Sequence, residues 1–257
     1  MSTAHFWLHT WQQRGWLNHL LLPLSKLAQW VWLIRLRLTP SEVLPVPVIV
    51  VGNLWPGGAG KTPVVMALVE LLQKEGIAVG VLSKGHGRKT KQTMLLSADS
   101  SAHQVGDEPL LIHRKTGVPV AVGVKRVDAA HQLLSAHPET QVLVCDDGLQ
   151  HLNLAHDLAL VILDERGLGN GWMLPAGPLR EPWPRPPRAR SREWVLSHGL
   201  DQPGQIIIHL TIGRLTNHSK QVAGSAPRKM PSSFGPRILR CGLFRSIAIS
   251  RPPYGLR

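Results

Sequence analysis

The stretch Val46-Pro47-Val48-Ile49-Val50-Val51-Gly52-Asn53-Leu54-Trp55-Pro56-Gly57-Gly58-Ala59-Gly60-Lys61-Thr62 decides the fold. Its first six residues are a short β-branched run with the character of a buried strand. From Lys61 to Glu75, Val64, Val65, Leu68, Leu71 and Leu72 recur at helical spacing until Gly76 closes the pattern. Strand, glycine loop and helix in that order make a phosphate cradle. Glycines let backbone N–H groups turn onto phosphate oxygens, and the helix presents its positive end. In such a loop Lys61 reaches the β- and γ-phosphates and the Thr62 hydroxyl binds Mg²⁺. The strict pattern asks for glycine where Trp55 stands, so the match is incomplete and context carries it. The plainer reading is a glycine-rich turn between strand and helix.

Working outward, a second strand is predicted at Val79–Ser83, followed by a polar Gly- and Lys-rich loop from Gly85 to Ser101. Further strands are expected at Val118–Val122, Val142–Cys145, Leu158–Leu163 and Trp194–Ser197, with helices at Pro109–Thr116 and Lys125–Ala136. Strands alternating with helices predict an α/β fold, a P-loop NTPase-like, mainly parallel sheet covered by helices. Pro175 to Pro187 holds six prolines and is read as irregular.

Toward the N-terminus, Trp7, Trp11, Trp16, Trp30 and Trp32 surround the run Leu20-Leu21-Leu22-Pro23-Leu24, with Arg14, Lys26, Arg35 and Arg37 interspersed. Pro23 and Lys26 interrupt what would have to be about 20 consecutive apolar residues in a spanning helix, so a transmembrane segment is rejected. The composition fits an amphipathic segment lying at a membrane interface, or equally a helix packed on the protein's own core. The chain has 29 Lys+Arg against 16 Asp+Glu, a net +13, which points to an anionic partner. Residues 202–257 hold nine of the basic and none of the acidic residues, so the basicity is mostly a property of the tail. Cys145 and Cys241 form neither a disulfide framework nor a metal knuckle.

Three more segments carry chemistry. Val142-Leu143-Val144-Cys145 ends in Asp146-Asp147-Gly148-Leu149-Gln150-His151, and a carboxylate at the end of an apolar strand beside a P-loop is a candidate second Mg²⁺ contact. The alternative is a strand closed by an Asp-Gly turn. In Val105-Gly106-Asp107-Glu108-Pro109 the carboxylates either cap a helix or, for Asp107, act as a general base toward an attacking hydroxyl. Spacing leaves the two open. Leu174-Pro175-Ala176-Gly177-Pro178-Leu179-Arg180-Glu181-Pro182 is a rigid loop that places Arg180 either near a transferring phosphoryl group or simply at the surface.

Together these segments resemble the tetraacyldisaccharide 4′-kinase family, the lipid A kinases of Gram-negative bacteria. The resemblance lies in Val51-Gly52-Asn53 through Gly57-Gly58-Ala59-Gly60-Lys61-Thr62-Pro63, Val105–Pro109, Asp146–His151, Gly167–Gly171 and Leu174–Pro182. It implies transfer of the ATP γ-phosphate to the 4′-hydroxyl of a tetraacylated glucosamine disaccharide 1-phosphate, with ATP and Mg²⁺ as cofactors. It also implies a monomer, peripheral at the cytoplasmic face of the inner membrane, with a lipid substrate and no nucleic-acid partner. The roles it implies are Asp107, Lys61 and Asp147 in catalysis, Trp55, Pro56, Gly57, Gly58, Ala59, Gly60, Lys61 and Thr62 around ATP, and Thr62 and Asp146 on the metal. Glu108, Gln150, His151, Arg180, Glu181 and Lys84 would meet the substrate. Lys84 and His86 depart from the family's S-R-G-Y-G, and lysine lacks arginine's bidentate fork. The resemblance covers roughly residues 6 to 199. Its expected division is an amphipathic membrane-associated segment at 1–40, a P-loop kinase core at 41–200 and a basic tail at 201–257. That tail reads as disordered or as a degenerate, out-of-register remnant, with Trp183-Pro184-Arg185-Pro186-Pro187-Arg188 already unlike the family. The competing expectation is a membrane-associated ATP-binding pseudoenzyme that transfers nothing.

Overall fold

The computed structural model describes residues 3–58, 60–88, 90–186, 191–202, 205–211 and 247–250. At its centre the apolar run forms β1 (Val48–Asn53), fully buried along its length. Pro47 has no N–H to give to a ladder, so the strand starts two residues later than the run, at Val48. It runs on through Gly52 and Asn53, which pair with Val161 and Ile162. After the loop, α3 (Lys61–Lys74) turns Val64, Val65, Leu68, Val69 and Leu72 into the core.

The remaining elements follow the same alternation. They are β2 (Val79–Ser83), β3 (Met94–Leu95), α4 (Ala102–Val105), α5 (Asp107–Thr116), β4 (Val120–Val122), α6 (Arg126–Ala136), β5 (Val142–Asp146) and β6 (Leu158–Leu163). The long β7 (Arg192–Gln202), β8 (Gln205–Thr211) and β9 (Ile247–Ser250) complete the sheet. Its order is β3-β4-β2-β5-β1-β6-β7-β8-β9. From β4 to β7 every neighbouring pair is parallel, while β3, β8 and β9 add antiparallel edges. Alternate residues of β1 feed two cores: Ile49 and Val51 pack with side chains of α3 and α5, whereas Val48 and Val50 pack with Val127, Ala130 and Leu133 of α6.

Three details differ from the sequence expectation. The loop at 85–101 contains β3, two residues paired with β4. Helix α5 begins at Asp107 rather than Pro109, because Gly106 takes φ +93° and turns the chain sharply out of α4. In the tail, Gln205–Thr211 and Ile247–Ser250 are strands, where no periodicity was expected. The β-branched run Ile206-Ile207-Ile208 supplies the reason for the first. The rest of the expected tail lies outside the described residues, as does Cys241.

Before the sheet come α1 (Thr3–Thr10) and α2 (Trp16–Leu38), and α2 continues through Pro23. Among the described residues no helix is long and apolar enough to cross a membrane. The two helices are fastened to the Asn170–Ala176 loop by polar bonds. Asn170 N donates to the Trp11 carbonyl at 2.8 Å, Asn18 Nδ2 to the Ala176 carbonyl at 2.8 Å, and Ser25 Oγ to the Met173 carbonyl at 2.7 Å.

Candidate active site

Parallel strands end together at their C-terminal edge, where open α/β sheets bind ligands. There the register sets Val51 of β1 beside Asp146 of β5, so the P-loop and the Asp146-Asp147 pair emerge side by side. Gly60, at φ +69° and ψ +26°, is the N-cap of α3, a left-handed conformation that glycine adopts without steric cost. Ala59 lies outside the described residues.

Lys61 and Arg180 converge on the same two partners. Lys61 Nζ donates to Asn53 Oδ1 at 3.1 Å and lies 3.6 Å from Asp147 Oδ1. Arg180 Nη2 donates to Asn53 Oδ1 at 2.6 Å and to Asp147 Oδ1 at 3.1 Å. Burial is the largest influence on the Asp147 carboxyl and pushes it up. The Arg180 hydrogen bonds, with the charges of Arg180, Lys61 and Arg126, outweigh it and hold the carboxyl below its ordinary value. Asp147 also sits at φ +49°, a conformation tolerated by Asp and Asn far better than by branched residues. The Asp-Gly turn and the ionised carboxylate are therefore one feature rather than alternatives.

Asp146 is the opposite case. Burial, then the neighbouring charges of Glu108 and Asp147, raise its carboxyl to about 6. Ser83 Oγ donates to its Oδ2 at 3.4 Å, while Oδ1 is buried with no hydrogen-bond partner among the described residues. His151 is held neutral, its pKa lowered to about 4 by burial and then by Arg126. Cys145 is fully buried and its thiol is pushed up to about 11, so it packs in β5 as an inert side chain.

Asp107 and Glu108 stand exposed in the first turn of α5. Glu108 is close enough to raise the Asp146 pKa. Among the described residues Asp107 makes no hydrogen bond or ion pair, so its side chain does not cap the helix. Lys84 is exposed, and its charge helps lower the His151 pKa. Glu181 needs a correction as a substrate-contacting group. It is fully buried, its Oε1 accepts from Gln150 Nε2 at 2.9 Å, and its Oε2 accepts from Arg185 Nε at 3.1 Å. A carboxylate with both oxygens engaged beneath the surface orients Gln150 instead.

The residue reading gave no role to four groups the structure brings into the site. Asn53 is the shared acceptor for Lys61 and Arg180, and its Nδ2 donates to the Trp55 carbonyl at 2.9 Å. Arg126, fully buried, donates to the Gly123 carbonyl at 2.6 Å and the Asp146 carbonyl at 3.3 Å. Arg185, in the segment expected to be unlike the family, fills the buried pair with Glu181. Arg166 lies over the Trp55 ring, 4.7 Å from its centroid. Asn53 lies within a matching segment and Arg166 directly precedes another, but the arginines look like ordinary surface charges until the chain folds.

The family description Tetraacyldisaccharide-1-P 4'-kinase matches residues 17–230. The chain belongs to this family. The match runs past residue 199, where the motif resemblance stopped. A tetraacyldisaccharide 4'-kinase of Polaromonas sp. (strain JS666) is 50% identical over 198 residues, covering 75% of this chain and 58% of the relative. The Acidovorax ebreus protein of the same name is 57% identical over 180 residues, covering 68% of this chain and 53% of the relative. The chain thus spans somewhat over half the length of these kinase-family relatives. Among solved structures, LpxK from Aquifex aeolicus in complex with ATP superposes with a TM-score of 0.58 at 32% identity, covering 70% of this chain and 64% of that one.

Proposed function

We propose that this chain is a kinase that transfers the ATP γ-phosphate to the 4′-hydroxyl of a tetraacylated glucosamine disaccharide 1-phosphate. The observation that carries the reading is the convergence of Lys61, Arg180 and Asp147 at the mouth of the P-loop, in a chain of this family. The printed name of the relatives supplies the acceptor, and the ATP of the Aquifex structure supplies the donor.

Phosphoryl transfer is catalysed chiefly by positioning and by neutralising charge on the transferring group. Here the N–H groups of the loop and Lys61 hold the phosphates, while Arg180, fixed by Asp147, sets a second cation where negative charge accumulates. The donor set also suits Mg²⁺, whose charge would offset that of the phosphates. Thr62 lies in the first turn of α3 beside the loop, and the buried Oδ1 of Asp146 is a hard oxygen with no hydrogen-bond partner among the described residues. Asp107, exposed and uncommitted, takes the proton of the acceptor hydroxyl. Glu108, Lys84, His151 and Gln150 surround the acceptor, with Gln150 oriented by Glu181.

The reading extends to location. On α2 the side facing the protein carries the buried polar Asn18 and Ser25 together with Trp32, which packs on the core, while Trp16, Leu20, Leu24, Leu27, Val31 and Leu38 face outward at spacings of three, four and seven. Trp16 is 79% and Leu20 67% exposed. An apolar stripe outside and hydrogen bonds inside suit a helix lying on a lipid surface, with Lys26, Arg35 and Arg37 at its borders. Segment 1–40 would then dock on the cytoplasmic face of the inner membrane, 41–200 would form the core, and 201–257 would extend its edge.

The deciding experiment incubates the purified chain with labelled ATP, Mg²⁺ and the disaccharide acceptor in detergent. Transfer that disappears in Asp107→Ala supports the proposal. ATP binding without transfer would favour the pseudoenzyme.

A further inference from the structure

A phosphate loop works only if its N–H groups point inward, and the same peptide planes then aim their carbonyls away from the ligand. At the exposed Gly57 and Gly58 water could meet those carbonyls, so a protein donor there fixes their direction rather than rescuing an unpaired acceptor. In this chain side chains supply such donors. Asn53 Nδ2 donates to the Trp55 carbonyl at 2.9 Å and toward the Gly57 carbonyl at 3.4 Å, and Arg166 Nη2 donates to the Gly58 carbonyl at 3.3 Å. Among the described residues, the N–H groups of Gly57, Gly58 and Gly60 donate to no protein acceptor. Among the described loop residues, the carbonyls of Trp55, Gly57 and Gly58 are thus engaged, while the N–H groups of Gly57, Gly58 and Gly60 are unspent.

Arg166 is itself held on two sides. Its Nε lies 3.0 Å from each oxygen of Asp164, and Nη2 closes the ion pair with Asp164 Oδ2. Its guanidinium plane covers the Trp55 indole, whose Nε1 donates to the Gly167 carbonyl at 2.9 Å. This arrangement gives a physical reason for tryptophan at the first loop position. The indole is the platform on which the guanidinium rests.

We propose that Arg166 is a positioning residue of the phosphate site, which holds the Gly58 carbonyl outward and so keeps the loop's N–H groups turned toward the nucleotide's phosphates. The inference rests on the kinase reading and concerns diphosphate recognition, not the acceptor.

The test uses the full chain and ADP as probe, so that turnover does not intervene. Arg166→Met should weaken ADP binding about tenfold, the scale of one lost hydrogen bond to a charged donor. The KM for the disaccharide should stay unchanged, and the slowing of hydrogen exchange that ADP produces at Gly57, Gly58 and Gly60 should be smaller. Arg166→Lys keeps a donor but not the fork to Asp164, and should recover part of the affinity even if the methionine variant folds poorly. Wild-type ADP affinity in Arg166→Met, or no recovery in a folded Arg166→Lys, would overturn the inference alone. Equal losses for ADP and acceptor would also overturn it, by showing a merely structural role. Failure of the unmodified chain to bind ADP would overturn the kinase reading with it.

Discussion

Asp146 and His151 are both kept from their charged forms by burial, and they pull stability in opposite directions with pH. For Asp146 the folded value of about 6 lies above the ordinary 3.8, so its contribution is fully present below 3.8 and is lost as pH rises through 6. For His151 the folded value of about 4 lies below 6.5, so its contribution is present above 6.5 and is lost as pH falls through 4. Asp146→Asn should therefore raise the Tm at pH 7.5 in EDTA, with the gain vanishing near pH 4, while abolishing transfer. His151→Gln should flatten the acid limb of the stability profile. Each effect is on the order of 1 to 3 kcal/mol at most. Thermal melts between pH 4 and 8 check both. Arg180→Ala, which removes the cation that Asp147 orients, should lower kcat about 10²- to 10³-fold. Arg180→Lys should fall between, since it keeps charge without the fork; steady-state kinetics measures this. At this scale the sequence revealed Lys61, Asp146 and Asp147, whose chemistry is tied to a local pattern. It was silent about Arg126 and Arg185, because a buried arginine is identified by partners 20 or more residues away, such as the Asp146 carbonyl for Arg126 and the Leu149 carbonyl for Arg185.

Two elements present the chemistry by their ends. Helix α5 can offer Asp107 and Glu108 only because Gly106 turns at φ +93° against the His86 carbonyl, which a Cβ would approach to 2.8 Å. Gly106→Ala combines a strained backbone with that clash. It should cost about 1 to 3 kcal/mol and displace the helix start, seen as a lower urea midpoint together with a lower kcat. Helix α2 instead offers its side. Replacing Leu20 and Leu27 together by Ser should weaken sedimentation with anionic vesicles while leaving the urea midpoint nearly unchanged, because surface exchanges shift stability little. Periodicity found the core-facing stripe of α3 directly. For α2 it left two options, since an apolar stripe reads alike whether it meets protein or lipid. The buried Asn18 and Ser25, with their bonds to Ala176 and Met173, mark the face that meets the protein, and what meets the other is part of the proposal.

The alternation of strands and helices was enough to place six parallel strands, from β4 to β7, around the loop, because crossover connections leave few arrangements. The antiparallel edges were not legible: β3 is two residues long, and β8 and β9 come from a region whose basic composition masked its β-branched run. In the proposed lipid binding, the net charge of +13 would add an electrostatic component. Vesicle association should therefore weaken as NaCl rises from about 0.05 to 0.5 M, over which the Debye length shrinks severalfold, while the apolar part remains.

Asn170 joins distant stretches of chain. Its N–H meets Trp11, its carboxamide meets Gln13 and Ala176, and its carbonyl receives Arg14. Order of synthesis gives this a consequence. These helices leave the ribosome before the loop that receives them, so Ser25 spends that interval without the Met173 carbonyl, and Asn18 without that of Ala176, keeping only that of Thr10. Until residues 170–176 have emerged, α2 has no loop to latch onto, and under the proposed membrane docking a bilayer would be the surface that receives its apolar stripe.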